Sequence, residues 1–131
     1  MSKKSIRPEE LAVAIAAELS QYSQEVADQI KQDVRDVAQE CVKNIKAASP
    51  KKTGKYKRGW KMKVVFENAA DIRIKIYNSV KPQLIHLLEF GHTKKKKGRK
   101  AGYVDGVAHV YPAEQKAARE LEKKAKVAVK R

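Results

Sequence analysis

The 131-residue sequence predicts an α+β domain, with a long N-terminal helix and a C-terminal helix packed on a small antiparallel β-sheet and a mobile basic loop. Three observations predict it. Apolar residues recur every three or four positions from Leu11 to Ala48, alternate one-in-two from Trp60 to Ile76, and return to the wider spacing after Pro112. The order α, ββ, short α, loop, β, α suits helices laid on one antiparallel sheet. A chain of this length buries roughly two-thirds of its unfolded surface, enough for one modest core. Residues 1–131 are therefore read as a single domain, with residues 1–7 a flexible N-terminus and 93–106 a flexible basic loop.

The first stripe includes Leu11, Ile15, Leu19, Val26, Ile30, Val34, Cys41 and Ile45, with Glu, Gln, Lys and Asp on the other faces. Pro8 suits a first helical turn, Glu9 and Glu10 suit the positive end of the dipole, and Ser49-Pro50 stops the helix. Unbroken from 8 to 48 it would extend roughly 60 Å, more than a domain of this size covers. Either it bends near Ser20 to Ser23, where serines compete for backbone hydrogen bonds, or part of the stripe packs on another chain.

After the SPKKTG stretch the period becomes two. Trp60, Met62, Val64 and Phe66 are expected inward, as are Ile72, Ile74 and Ile76 beyond the ENAAD turn, which makes a hairpin with one wet face. KPQLIHLLEFG reads as a short helical segment ending at Gly91. The lysine loop follows, then VAHVY as a short third strand. Pro112 opens a last helix whose small-residue face holds Ala117, Ala118, Leu121, Ala125 and Ala128.

The formal charge of +15 is unevenly placed. Residues 1–50 sum to −1 and residues 67–92 to zero, whereas 51–66 carry +7 and 93–111 carry +5. Such an excess favours a polyanion or an acidic protein surface. No apolar run approaches the length of a membrane span, and the start MSKKSIRPEE lacks a signal-peptide core, so a soluble product made in the cytoplasm is expected. One cysteine allows no internal disulfide.

Catalytic chemistry is hard to find. His86, Glu89 and His92 lie close in sequence, but a zinc site needs a further ligand, and His109 sits on a segment whose face the pattern leaves open. Histidine and carboxylate bonded to backbone or to each other at a helix–sheet junction is the plainer reading. The TGK step lacks the spacing of a phosphate-binding loop, and Cys41 lies on the apolar stripe. No enzyme, cofactor or metal is expected. The rival function is non-sequence-specific nucleic-acid binding, since KKTGKYKRGWKMK interleaves Tyr56 and Trp60 with cations. Trp60 begins the apolar alternation, however, which favours a core role.

Two stretches, SPKKTGKYKRGW and HLLEFGH…GYVDGVAHVYPAEQKA, resemble the Pro-x-x-Thr-Gly strand entry and the Glu-Phe-Gly and Pro-Ala motifs of tailed-phage neck or tail-completion proteins, a family related to the minor tail protein Z of lambdoid phages. The resemblance spans roughly residues 8 to 125. It implies a non-enzymatic virion protein at the head–tail junction, made in the bacterial host and assembling as a homo-oligomeric ring of six-fold symmetry. The implied neighbours are the head-closure or connector protein and the tail-terminator or tail-tube protein, with contact to genomic DNA in the channel and none with membrane. Thr53 and Gly54 would form the turn into the first strand, Glu89, Phe90 and Gly91 a structural corner, and Pro112 the entry to the last helix. Lys94, Lys95, Lys96, Lys97, Arg99 and Lys100 would make the assembly or polyanion contact.

Overall fold

Residues 11 to 18 form a strand rather than the opening turns of a helix. The computed structural model describes residues 11–50 and 54–130, so Pro8, Glu9, Glu10 and Thr53 lie outside the described residues, as does the segment 1–7. β1 (Leu11–Glu18) reads LAVAIAAE, apolar at all but its last position, so it satisfies both periods and local pattern cannot choose between them. Tertiary pairing decides. β3 (Asp71–Asn78) buries Ile72, Ile74 and Ile76 on one face, and β1 sets Ala17, Ile15 and Val13 opposite them. α1 (Gln24–Ala48) then starts where Ser23 accepts a 3.2 Å hydrogen bond from the Val26 amide, a side-chain N-cap. The helix is 25 residues long, so the overhang that asked for another chain to cover it is gone.

β2 (Trp60–Glu67) lies on the other side of β3, giving an antiparallel sheet in the order β1-β3-β2. Trp60 is buried and Met62 half-buried, as the alternation predicts, but Val64 and Phe66 are exposed. Val64 still pairs with Ile74 in the inward register; a bulge between it and Phe66 accounts for Phe66, which pairs with Arg73, and for Glu67, which pairs with Ile72. One extra residue exchanges the two faces. Phe66 thereby joins the open side of the sheet, and Glu67 turns toward α1, where it forms ion pairs with Lys31 (3.0 Å) and Arg35.

The core lies between the sheet and α1, where Val34, Val37, Cys41 and Ile45 meet Val13, Ile15, Trp60, Ile74 and Ile76. α4 (Tyr111–Lys130) packs on α1 with small residues, Ala113 and Ala117 being buried while Ala118 is exposed. VAHVY is not a strand. Residues 106–109 are irregular, and Tyr111 is already helical, with Pro112 in the first turn as expected. The third strand of the sheet is β1 instead.

Cys41 sits inside this core with its thiol 3.7 Å from the Ala113 carbonyl oxygen. Burial, helped by the Glu114 carboxylate, pushes it up to about 11. Two units above an ordinary thiol mean about a hundredfold less thiolate, the reactive form. Labelling by a disulfide reagent at pH 8 should therefore be slower in the folded chain by at least that factor and become fast in denaturant. Rapid labelling without denaturant would show the core to be open at this helix pair.

Candidate functional site

Glu89 organises the region that the motifs single out. A 3-10 turn (Pro82–Leu84) leads into α3 (Ile85–Phe90), which ends where Gly91 takes a positive φ of 87°. Glu89 is buried and its carboxylate accepts three backbone N–H groups from 20 residues downstream, those of His109, Val110 and Tyr111, each at 2.9 Å. The Val110 carbonyl takes the first bond of α4 from Glu114, so these donors belong to the start of that helix. A carboxylate here satisfies orphan amides and faces the positive end of the helix dipole. Burial alone would push the carboxyl of Glu89 up; the three amides, with His109 beside them, outweigh it and hold the group below the ordinary carboxylate range.

His109 is fully buried, and both of its ring nitrogens are engaged. Nδ1 lies 2.6 Å from the Val107 carbonyl oxygen and 3.0 Å from Glu89 Oε1, two acceptors, so it carries a proton. In the neutral ring Nε2 then accepts from the Tyr56 hydroxyl at 2.6 Å. Tyr56 belongs to α2 (Lys55–Arg58), entered through Gly54 at a left-handed φ of 79°, so the turn leads first to this short helix and only then to β2. Burial, followed by the charge on Glu89, raises the Tyr56 hydroxyl pKa and keeps it a neutral donor. Trp60 stands edge-on to both Tyr56 and His109, with centroids at 5.6 and 6.2 Å. Asn78 completes the junction: its amide donates to the Tyr56 carbonyl at 2.7 Å and its oxygen accepts from Val80 and Lys81.

The lysine stretch rises from this junction as a hairpin where an open loop was expected. β4 (Gly91–Lys96) and β5 (Arg99–Asp105) pair antiparallel, and Lys97 and Gly98 both take positive φ at the tip, the signature of a type I′ turn. Its base is fastened by Tyr103, whose hydroxyl donates to the Phe90 carbonyl at 2.8 Å, and by the Val107 amide bonding Leu88 O at 2.9 Å. Gly106 lets the returning chain pass, since a Cβ there would sit 2.5 Å from the Glu89 carbonyl oxygen. Lys95 lies opposite Lys100 and Lys96 opposite Arg99, like charges on facing positions, which weaken a hairpin. Lys94, Lys97, Arg99 and Lys100 are exposed. Around the base Phe90, Tyr103 and Tyr111 are each more than half exposed, an apolar patch beside a cationic arm.

The structure thus brings Glu89, Phe90, Gly91 and Pro112 together as a corner and gathers the six basic residues on one projecting hairpin. It does not unite His86, Glu89 and His92. His86 packs on the Phe90 ring at 4.9 Å, and His92 Nδ1 is buried without a hydrogen-bond partner among the described residues. No cluster of three or more His, Cys, Asp or Glu residues that could hold a metal occurs among the described residues. The same holds for helices long and apolar enough to cross a membrane. Sequence reasoning missed Tyr56 and Asn78 as parts of the junction; the asparagine that ends β3 just before SVKP was the available turn signal.

Two substitutions test the junction. Glu89→Gln should destabilise the fold by about 3 kcal/mol at pH 7, because a charged acceptor of two buried amides and one part-buried amide is lost. The folded pKa of Glu89 is depressed, so its contribution is present above the unfolded carboxylate value and fades as pH falls through the folded one. Urea midpoints of the two proteins should accordingly converge as pH falls below the ordinary carboxylate range; a constant gap would place the loss in shape rather than charge. Tyr56→Phe should cost about 1–2 kcal/mol by leaving His109 Nε2 unpaired, read by the same denaturation.

A family model described as "Bacteriophage HK97-gp10, putative tail-component" matches residues 14–91, more than half of the chain, from β1 through α3 to Gly91. Neither a curated protein nor a solved structure matches the sequence. The matched segment holds most of β1, all of β2 and β3, α1 and the Glu-Phe-Gly corner, and on that ground the chain belongs to the HK97-gp10-like family of bacteriophage tail components.

Proposed function

We propose that the chain is a non-enzymatic structural subunit of a tailed-phage virion that assembles as a ring at the head–tail junction and joins tail to head. The observation that carries this reading is the basic hairpin rooted on the bonded Glu89–His109–Tyr56 junction. A run of six basic residues lies on a hairpin whose root holds Glu89 and His109, both engaged in structural bonds. The Glu89 carboxylate is committed to three backbone amides and lies 3.0 Å from His109 Nδ1. An arm whose facing positions repel one another gains stability when an acidic surface or a phosphate chain lies against it. Family membership supports the phage setting. The ring, its head and tail neighbours and the DNA of the channel belong to the proposal.

A second reading, non-sequence-specific nucleic-acid binding, draws on the same hairpin. It is weakened by the burial of Tyr56 and Trp60, the aromatic residues interleaved with cations in the sequence, which leaves neither ring free to stack on a base.

Changing Lys94 to Lys97 to glutamine separates the two. The core should keep its stability to within about 0.5 kcal/mol, since Lys94 and Lys97 are exposed and no residue of the hairpin strands belongs to the core cluster. In virions carrying this variant, electron microscopy should show filled heads and free tails, with weak binding to free DNA at physiological salt before and after the change. If the chain instead acts on nucleic acid, duplex affinity should be tight at that salt, and the variant's salt slope should fall by up to about 0.9 per lost phosphate contact. Normal virions from the variant would sink the joining role of the hairpin.

A further inference from the structure

The two edges of the three-stranded sheet are unlike. β2, at one edge, carries Lys61 and Lys63 and a bulge, the devices that discourage another strand from pairing. β1, at the other, has no charge and no proline from Leu11 to Ala17, and its single irregularity lies at its start, between Leu11 and Val13. Among the described residues no strand lies beyond it. At its C-terminal end a groove opens between β1 and α4, lined on one side by Tyr22 and Leu19 and on the other by Leu121 and Ala125. The last residue, Glu18, lies directly opposite Asp71 on β3, two acids side by side. An edge unpaired among the described residues, beside an apolar groove and a pair of acids, describes what should occupy it: an extended, cationic strand.

The same chain supplies one. The β4–β5 hairpin is an isolated two-stranded sheet, a unit of marginal stability in water until a third strand or a helix covers it. Its strands are six and seven residues long against eight in β1. The hairpin is rooted beyond Asn78, at the end of β3 opposite to the one where Asp71 meets Glu18. Eight residues of strand separate those ends, about 25 Å at roughly 3.3 Å per residue, so the donor and acceptor stand at opposite ends of the sheet.

We propose that the free edge of β1 receives the β4–β5 hairpin of a second copy of this chain, which extends the three-stranded sheet by strand addition with its lysines against Glu18 and Asp71. The contact is heterologous, donor to acceptor, so repetition closes a ring or continues as a filament according to the rotation between copies. The inference rests on the self-assembly read above and names the surfaces that would perform it.

Amide exchange tests it with two proteins. In the labelled acceptor the hairpin is shortened, Thr93 and Tyr103, which face each other, being joined by Asn-Gly; the unlabelled donor is the full chain. Exchange of the outward amides between Ala12 and Glu18 should slow about tenfold on mixing, with none of this when the unlabelled partner also lacks the hairpin. The outer edge of β2 should be unaffected. The unmodified chain gives an independent reading: its β1 edge should exchange more slowly at about 1 mM than at about 10 µM, by mass action. Unchanged β1 amides in both experiments, or slowing confined to β2, overturn the proposal. Sedimentation of the full and shortened chains tells the two failures apart. If both assemble, strand addition is wrong and self-assembly stands; if neither assembles and β1 stays unprotected, both fall.

Discussion

The arrangement of the C-terminal half depends on one buried carboxylate. Glu89 joins three pieces of chain that share no sheet: the end of α3, the irregular segment before α4, and α4 itself. Without it, three amides at the start of α4, two buried and one part-buried, would have nothing to bond, at about 1–3 kcal/mol each. Its neighbour His109 carries the restraint onward to Tyr56, and so to the short helix before β2. Asn78 bonds to the carbonyl of the same tyrosine. A chain of polar contacts thus runs from the last helix to the far end of the sheet through residues that are all shielded from water, where such bonds are strengthened by the low dielectric.

Much of this was legible in the residues. The switch from a period near 3.6 to a period of two places α1, β2 and β3, and Pro112 marks the entry to α4. Glu89 reads as a framework carboxylate because the residues near it in sequence do not complete a ligand set. What the pattern could not hold was pairing at a distance. LAVAIAAE fits helix and strand alike, and only the presence of β3 beside it makes it a strand. The bulge in β2 is invisible to alternation, because Val64, Val65 and Phe66 are all apolar; its purpose becomes clear once Lys31 and Arg35 are seen waiting for Glu67 on the helix side. VAHVY had the composition of a strand, but Glu89 takes the amides of its last three residues, His109, Val110 and Tyr111.

The basic segment shows the same limit from another direction. Six cations in a short glycine-containing run argue against a packed core, and Lys94, Lys97, Arg99 and Lys100 are exposed. Composition says nothing about the type I′ turn at Lys97 and Gly98 that folds the run back on itself. Self-repulsion predicts an open loop; backbone pairing and the anchored Tyr103 yield a hairpin whose charges confront each other.

The bonds that fasten the hairpin also isolate it. Val107 is tied to Leu88, and His109, Val110 and Tyr111 to Glu89, so the chain leaves the body and returns to it at one closed gate. Everything between Gly91 and Gly106 is a cassette hung from that gate. Doubling such a segment costs only about 0.6 kcal/mol of closure entropy, and its sequence touches little of the core. The family match ends at Gly91, at the threshold of the cassette. A fold built this way can keep its body constant while the projecting piece changes length and charge, so one scaffold can be refitted to a new neighbour by exchanging a few residues at its gate.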